Sequence, residues 1–488
     1  MSGPQCRRNT RSVQAVITLA DTSNYPPATR SEGMQTVSTR QRQKPAVREY
    51  RVSELISALS HAFDLTEGQP PGHTLRATAI GMRFAEELGL DATTRSSLYY
   101  SLLLKDAGCS ANASEIAACF GTDDSLVKRD RKTTDWSSSI RSASFSWRNA
   151  GRGRPITQRV AHFIRIASGG HELARELVRG RSRGGADIAA RLGLRAETAQ
   201  AIRSLEEHWD GGGQPQGLRG HEIPLASRIA NIAQTMEVFL TAKGATSALD
   251  VIRSRRGTWF DPELAAQCVS WRQDHSWWRA LLEDDLDSRV QAMEPSEDIR
   301  IIDDDGLDRL AEAFAAIVDA KSPFTTQHST NVAKYATAIA GQMRFDGPSI
   351  RSLYRAGLLH DVGKLGVSNL IIDKAAPLTA DEREAMAQHP RLTWSILRRV
   401  TAFRDFAWTA ALHHERLDGT GYPWALRADD LDLEARILAV ADVYEALTAR
   451  RPYRDGLPVE QALMIIRKDS TFRYDGAVFN ALEACIGR

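Results

Sequence analysis

The chain has 488 residues, enough for two or three domains, and its 42% apolar and 25% charged residues are ordinary for a globular protein. A net charge of +2 excludes partner choice by bulk charge, so neither a nucleic-acid polymer nor a membrane surface is expected as a partner. Five scattered cysteines without a CxxC pair, no bilayer-length apolar stretch and no signal-peptide core predict a cytoplasmic protein with reduced thiols.

Residues 1–48 are polar, basic and without apolar periodicity, and predict a disordered basic tail. From Tyr50 onward, apolar residues recur at three- and four-residue spacing, as in Leu55, Ile56, Leu59 and Phe63, which predicts helices. This first helical block spans 49–282 and includes a polar stretch near 112–158 that reads as a loop or small insertion. The stretch 184–202 resembles a helix-turn-helix, although bundle helices are the better reading. Residues 283–300, acidic and carrying Pro295, read as a linker. A second helical block covers 301–488.

The two blocks read as copies of one another. DGGGQPQGLRGHEIPLASRIANIA at 210–233 aligns without a gap on DGTGYPWALRADDLDLEARILAVA at 418–441. Upstream, GHTLRA at 72–77 and LLLKDAGC at 102–109 match QHSTNV and GLLHDVGK. His73 and Lys105 are spaced as His328 and His360 are. This is duplication of a whole domain rather than a short repeat.

The second block supplies metal-ligating side chains from separate segments: His328, His360 with Asp361, His389, and His413 with His414. Asp442 joins them from RILAVADVYEAL, an amphipathic helix in which a bare carboxylate is costly unless a cation neutralises it. His360 and Asp361 follow Leu358 and Leu359, so they are expected to project from a helix end into the core. Imidazole plus carboxylate suits Fe, Mn or Zn better than Mg or Ca. Asp361 can bridge two such ions, and two metals about 3.5–4 Å apart would hold a hydroxide for in-line attack on phosphorus.

The motifs QHS at 327–329, HDVGK at 360–364, HP at 389–390, HHERLDGTGYP at 413–423 and AVADVYEALTARRPYR at 439–454 resemble the HD-GYP group of the HD phosphohydrolase superfamily. The resemblance covers the second block. It implies an all-α fold of two tandem HD-type bundles and a phosphodiesterase that converts cyclic di-GMP to linear pGpG, and in some members on to GMP. It implies two divalent transition metal ions, Fe or Mn, held by His328, His360, Asp361, His389, His413, His414 and Asp442. Asp361 and Lys364 would be catalytic, with Lys364 on a substrate phosphate, where a cation stabilises developing charge. Arg451 and Arg454 would hold phosphates or guanine edges, with ion pairs to Asp455 or Glu460 as the plainer alternative. Tyr422 would stack on a base, or simply pack in its turn. Some members carry Glu four residues before the first histidine and bind a third metal; Phe324 stands there, so two metals are expected. The resemblance also allows a diguanylate-cyclase-type partner at the GYP turn and a homodimer. Another cyclic dinucleotide or nucleotide as substrate, and a low-turnover scaffold, remain alternatives.

In the first block, alignment puts Lys105 at the His360 position, Arg181 at His389, Leu205 at His413, Glu206 at His414, Gln234 at Asp442 and Cys109 at Lys364. Only His73 and Asp106 persist. Two ligands cannot hold a dinuclear centre, so this block is expected to be metal-free, with Lys105 paired to Asp106 in place of the metal charge.

Overall fold

The computed structural model describes residues 48–487 apart from 136, 137, 451–453 and 471; the expected tail thus falls outside the described residues, save Arg48. The fold is all-α. Among the described residues the only strands are Tyr50–Arg51 and Ile301–Ile302, which pair antiparallel with Tyr50 opposite Ile302.

Corresponding helices start and stop for the same local reasons in both blocks. Helices Ala92–Leu104 and Gly347–Leu359 are capped by Asp91 and Asp346, whose carboxylates accept the N–H groups of Thr94 and Ser349. They end just before Lys105 and His360, so those side chains emerge from a helix terminus, as expected. Helices His73–Glu87 and His328–Gln342 each begin on their histidine, after Gly72 and Gln327 in left-handed conformation. Asp64 and Asp319 fix these starts by accepting the backbone N–H and hydroxyl of Thr74 and Ser329. Two close approaches repeat as well. A Cβ on Gly363 would lie 1.9 Å from the His389 carbonyl oxygen, and one on Gly108 would lie 2.0 Å from that of Arg181. Glycine is therefore required where each HD-type turn crosses the next helix.

One apolar core runs through both blocks. Phe63 of helix Val52–Thr66 stacks on Phe314 of helix Asp304–Asp319, with ring centroids 5.5 Å apart. Helix Val52–Thr66 also packs on the HDVGKLG segment of the second block, where Leu65 meets Gly366.

One sequence expectation is corrected and another is narrowed. Residues 283–300 are not a free linker: helix Leu286–Ala292 buries Leu286 and Val290 in the common core. Their four-residue spacing outweighs the acidic composition, and the helix ends before Pro295. Of the two readings of the polar stretch 112–158, the described residues favour the small insertion, and it is helical. It forms helices Ala113–Phe120, Asp124–Thr133 and Ser139–Asn149 and the start of Ile156–Arg191. Its few apolar residues, among them Ile116, Phe120, Val127 and Phe145, make a small core of their own together with Ile166 further along helix Ile156–Arg191. The helix-turn-helix-like stretch at 184–202 is ordinary bundle, with Ile188, Ala201 and Ile202 buried. No described helix is long and apolar enough to cross a membrane.

Candidate metal centre

His328, His360, Asp361, His389, His413, His414 and Asp442 converge on one point inside the second block, and all but His414 are buried. Asp361 is central. Its Oδ2 faces His328 Nε2 at 3.3 Å and His360 Nε2 at 3.4 Å, while its Oδ1 faces His389 Nε2 at 3.4 Å and His413 Nε2 at 3.6 Å. Asp442 completes the ring: Oδ1 lies 3.4 Å from His328 Nε2, and Oδ2 lies 3.6 Å from His414 Nδ1. Two triads of ligand atoms result, His328–His360–Asp361 and His389–His413–His414. One carboxylate oxygen of Asp361 serves each side.

Backbone geometry selects the tautomers. His360, His389 and His413 each sit three residues after a carbonyl at a helix end. Their Nδ1 atoms donate to Gly357, Met386 and Ala410 oxygens at 2.7, 2.7 and 2.8 Å. The Nε2 lone pairs therefore point inward, the usual outer-shell arrangement of a metal-ligating histidine. His328 uses a carboxylate instead: its Nδ1 is bonded to buried Glu445. Burial holds His389 neutral, with its pKa pushed down to about 3, and drives His413 and His414 down as well. The Asp361 carboxylate stays ionised: burial opposes its charge, but Lys364 and His360 outweigh that and hold it well below the usual range.

These atoms fit a bound metal cation. His328 Nε2, His360 Nε2 and Asp361 Oδ1 are buried without a hydrogen-bond partner. His389 Nε2 and His413 Nε2 face each other at 3.1 Å, and with both Nδ1 protons committed to carbonyls neither neutral ring has a proton to share there. Orphaned donors and acceptors of this kind cost roughly 1–3 kcal/mol each unless something binds them.

The other expected site residues divide. Lys364 contacts Asp361 and is partly exposed, at the edge of the cluster. Tyr422 packs its ring on His414, centroids 4.7 Å apart, and burial beside Asp442 and Asp361 raises its pKa. It therefore lines the centre rather than merely filling a turn. Arg454 is not brought to the centre. Its guanidinium donates to the Leu447 carbonyl at 2.8 Å and to that of Ala446, closing the end of helix Leu433–Thr448. Arg451 lies outside the described residues. Phe324 is half-buried on the loop before His328. Glu445 escaped the sequence reading, although it had a signal: Glu237 holds the matching place and is likewise bonded to the Nδ1 of His73.

At the corresponding point of the first block, ammonium groups stand where ligands would converge. Lys105 Nζ contacts Asp106 and lies 2.9 Å from His73 Nε2. Lys132, from the inserted helix Asp124–Thr133, lies 2.8 Å from Glu67 and 3.2 Å from Asp106. Arg181 pairs with Glu206. The Lys105–Asp106 pair agrees with expectation. Lys132 and Glu67 were not foreseen, because Lys132 has no counterpart in the second block to align with.

Comparison with known proteins agrees with this architecture. The HD domain family matches residues 171–264 and 312–478, a segment of each block. The chain is 40% identical over 439 residues to 3'3'-cGAMP-specific phosphodiesterase 3 of Vibrio cholerae serotype O1, covering 90% of this chain and 95% of that protein. A cyclic di-GMP phosphodiesterase of Thermotoga maritima is 32% identical over 180 residues, 36% of this chain and 49% of its own length. The crystal structure of a V. cholerae cyclic GMP-AMP specific phosphodiesterase superposes with a TM-score of 0.62 at 36% identity, covering 90% of this chain and 98% of that one. The chain belongs to the HD domain family, within its HD-GYP phosphodiesterase branch.

Proposed function

We propose that the second block hydrolyses a 3',5'-linked cyclic dinucleotide to its linear form, with 3'3'-cGAMP the first candidate substrate and cyclic di-GMP the second. The single observation that carries this reading is Asp361, buried with one oxygen toward each histidine set. When bound, two divalent ions such as Fe or Mn would supply Lewis acidity and an activated water for attack on phosphorus. His328, His360 and Asp442 would hold one ion, His389, His413 and His414 the other, and Asp361 both. Phe324 offers no ligand for a third. Lys364, partly exposed beside Asp361, is placed to meet a phosphate oxygen and stabilise charge building there. Tyr422, packed on His414, shapes the wall against which a base would lie.

The preference for 3'3'-cGAMP rests on the relative that matches nearly the whole chain under that name; the cyclic di-GMP reading rests on the resemblance and on relatives that match about a third of it. The first block is read as metal-free, its Lys105 and Lys132 ammonium groups standing in for metal charge. Turnover of 3'3'-cGAMP, cyclic di-GMP and cyclic di-AMP by Fe- or Mn-loaded protein, with metal analysis, tests the reading. Bound metal at the second block and a linear product from at least one guanine-containing substrate are expected. Metal-loaded protein inert on all three substrates would overturn it.

A further inference from the structure

Helix Asp124–Thr133 belongs to the insertion of the first block, yet one of its faces reaches both halves of the molecule. Asp124, Lys128 and Lys132 follow at four-residue spacing and so share that face. Their side chains are 0, 5 and 8% exposed. Lys132 enters the charge cluster of the first block. Lys128 donates to the Cys109 and Thr66 carbonyls at 2.8 and 3.3 Å and to Asp124 Oδ2 at 3.1 Å. Asp124 then crosses to the second block. Its Oδ1 accepts the backbone N–H of Asn369 at 3.1 Å, and its Oδ2 lies 3.7 Å from the ammonium of Lys321.

Lys321 and Asn369 are themselves buried, on two different segments of the second block. Those segments are stitched together: Asn369 Nδ2 donates to the Lys321 carbonyl at 2.6 Å, and the Ser322 hydroxyl donates to Asp373 at 2.5 Å. Each leads directly to the metal centre. From Ser322 the path runs through Thr325, whose hydroxyl bonds the Ser322 carbonyl at 3.0 Å, to His328, whose N–H bonds the Thr325 carbonyl at 2.9 Å. From Asn369 it runs back through Val367, whose N–H bonds the Lys364 carbonyl at 3.0 Å, to Lys364 itself.

We propose that Asp124 is a positioning residue for the second block's site: a carboxylate of the first block clamps the two segments that carry His328 and Lys364. The inference rests on the phosphodiesterase reading for its kinetic arm only. The charge is essential to the clamp, since Asp124 faces two buried ammonium groups that bulk water does not solvate. Misplacement of reacting groups by about 1 Å costs up to ~100-fold in rate, so a loosened clamp should be visible in turnover.

The test compares full-length wild type, Asp124→Asn, Lys321→Met and the double variant by amide hydrogen exchange and by turnover of 3'3'-cGAMP with metal content measured on the same samples. Asp124→Asn should raise exchange about 10-fold or more in segments 319–330 and 362–374, but not in 404–441. Its kcat should fall about 10-fold or more with KM within threefold and metal content retained. The double variant removes the Asp124–Lys321 pair but leaves buried Lys128 without its carboxylate and the two segments without their clamp, so it should keep most of both effects. Should Asp124→Asn fail to fold, Lys321→Met carries the same readouts, because it leaves Asp124 paired with Lys128. Unchanged exchange in the two segments overturns the proposal, and so does a rise spread evenly over the second block. If wild type turns over no cyclic dinucleotide, the functional reading fails while the exchange arm still decides the clamp.

Discussion

Lys132→Ala isolates the charge replacement in the first block. The substitution removes an ammonium 2.8 Å from Glu67 and 3.2 Å from Asp106 and leaves both carboxylates 1% exposed. Deleting one partner of a buried pair costs about 3–5 kcal/mol. Lys105 still contacts Asp106, so the lower end applies, about 3 kcal/mol, with Glu67 bearing most of it. For a cooperative unit of this size each kcal/mol is worth roughly 2–4 °C, so the midpoint of thermal unfolding should fall about 6–12 °C at pH 7. The pH profile checks the origin of the loss. Burial alone would raise the pKa values of Glu67 and Asp106, but Lys132 on the first, and Lys105 and Lys132 on the second, hold both below their ordinary range. Groups depressed in the fold give stability that is full above their unfolded value, about 4, and is lost as pH falls through the folded one. Wild type should therefore lose stability steeply below about pH 4.5, and Lys132→Ala, having already lost that term, should decline less. Calorimetry of the two proteins from pH 7 to pH 3 decides it. A drop of less than about 2 °C at pH 7 would refute the claim that the lysine does the electrostatic work of a metal.

Four further outcomes are expected. Asp361→Ala should abolish cyclic-dinucleotide hydrolysis and bound metal together; surviving turnover would sink the proposed centre. Glu445→Gln, which weakens the grip on His328 Nδ1, should lower metal affinity by about 10–100-fold in a chelator competition, with the fold intact by circular dichroism. His208 stacks on Trp259 at 4.2 Å, and burial lowers its pKa to about 4 against the pull of Glu206 and Asp210. Its neutral form thus contributes stability present above about pH 6.5 and lost as pH falls toward 4, at most about 3 kcal/mol, and His208→Phe should flatten that limb of the urea-denaturation profile. Arg454→Ala should cost about 1 kcal/mol by uncapping helix Leu433–Thr448, with KM changed less than about threefold; a rise in KM beyond about 10-fold would return the residue to the phosphate role.

What the sequence made legible follows from how local each signal was. The HD turn could be read because Leu358 and Leu359 mark the last apolar turn of a helix, which fixes His360 and Asp361 at its end. Asp442 could be read because a carboxylate on an apolar helix face needs a partner. Arg454 misled, because a guanidinium one turn from another cation satisfies helix carbonyls as well as phosphates, and spacing does not separate the two. The segment 283–300 misled because charge count hid the Leu286–Val290 stripe. Lys132 and Asp124 were out of reach altogether. They act through an inserted helix whose partners lie far along the chain, and no period or motif announces a contact between Asp124 and Asn369.

The two blocks separate what the fold needs from what the chemistry needs. His73–Glu237 repeats His328–Glu445, Asp64 repeats Asp319, and Glu207 ties backbone N–H groups of its turn as Glu415 does. These contacts recur where the ligand set does not, so they stabilise the bundle whether or not a metal is present. The converging carboxylates are the part that cannot stand alone. In the second block Asp361, Asp442 and Glu445 crowd around His328, whose pKa they raise to about 9 against burial, and Lys364 pairs with Asp361 from the partly exposed edge, so the buried carboxylates there are matched by groups that can give way to a bound cation. In the first block Asp106 and Glu67 face Lys105 and Lys132, which supply permanent charge. The first block thus differs by more than missing ligands: it also carries cations at the corresponding point, and one of them, Lys132, stands on the inserted helix Asp124–Thr133. That same helix carries Asp124 to Asn369 and Lys321 of the second block, so the element that neutralises buried carboxylates in the first block is also the one through which the proposed clamp acts on the second.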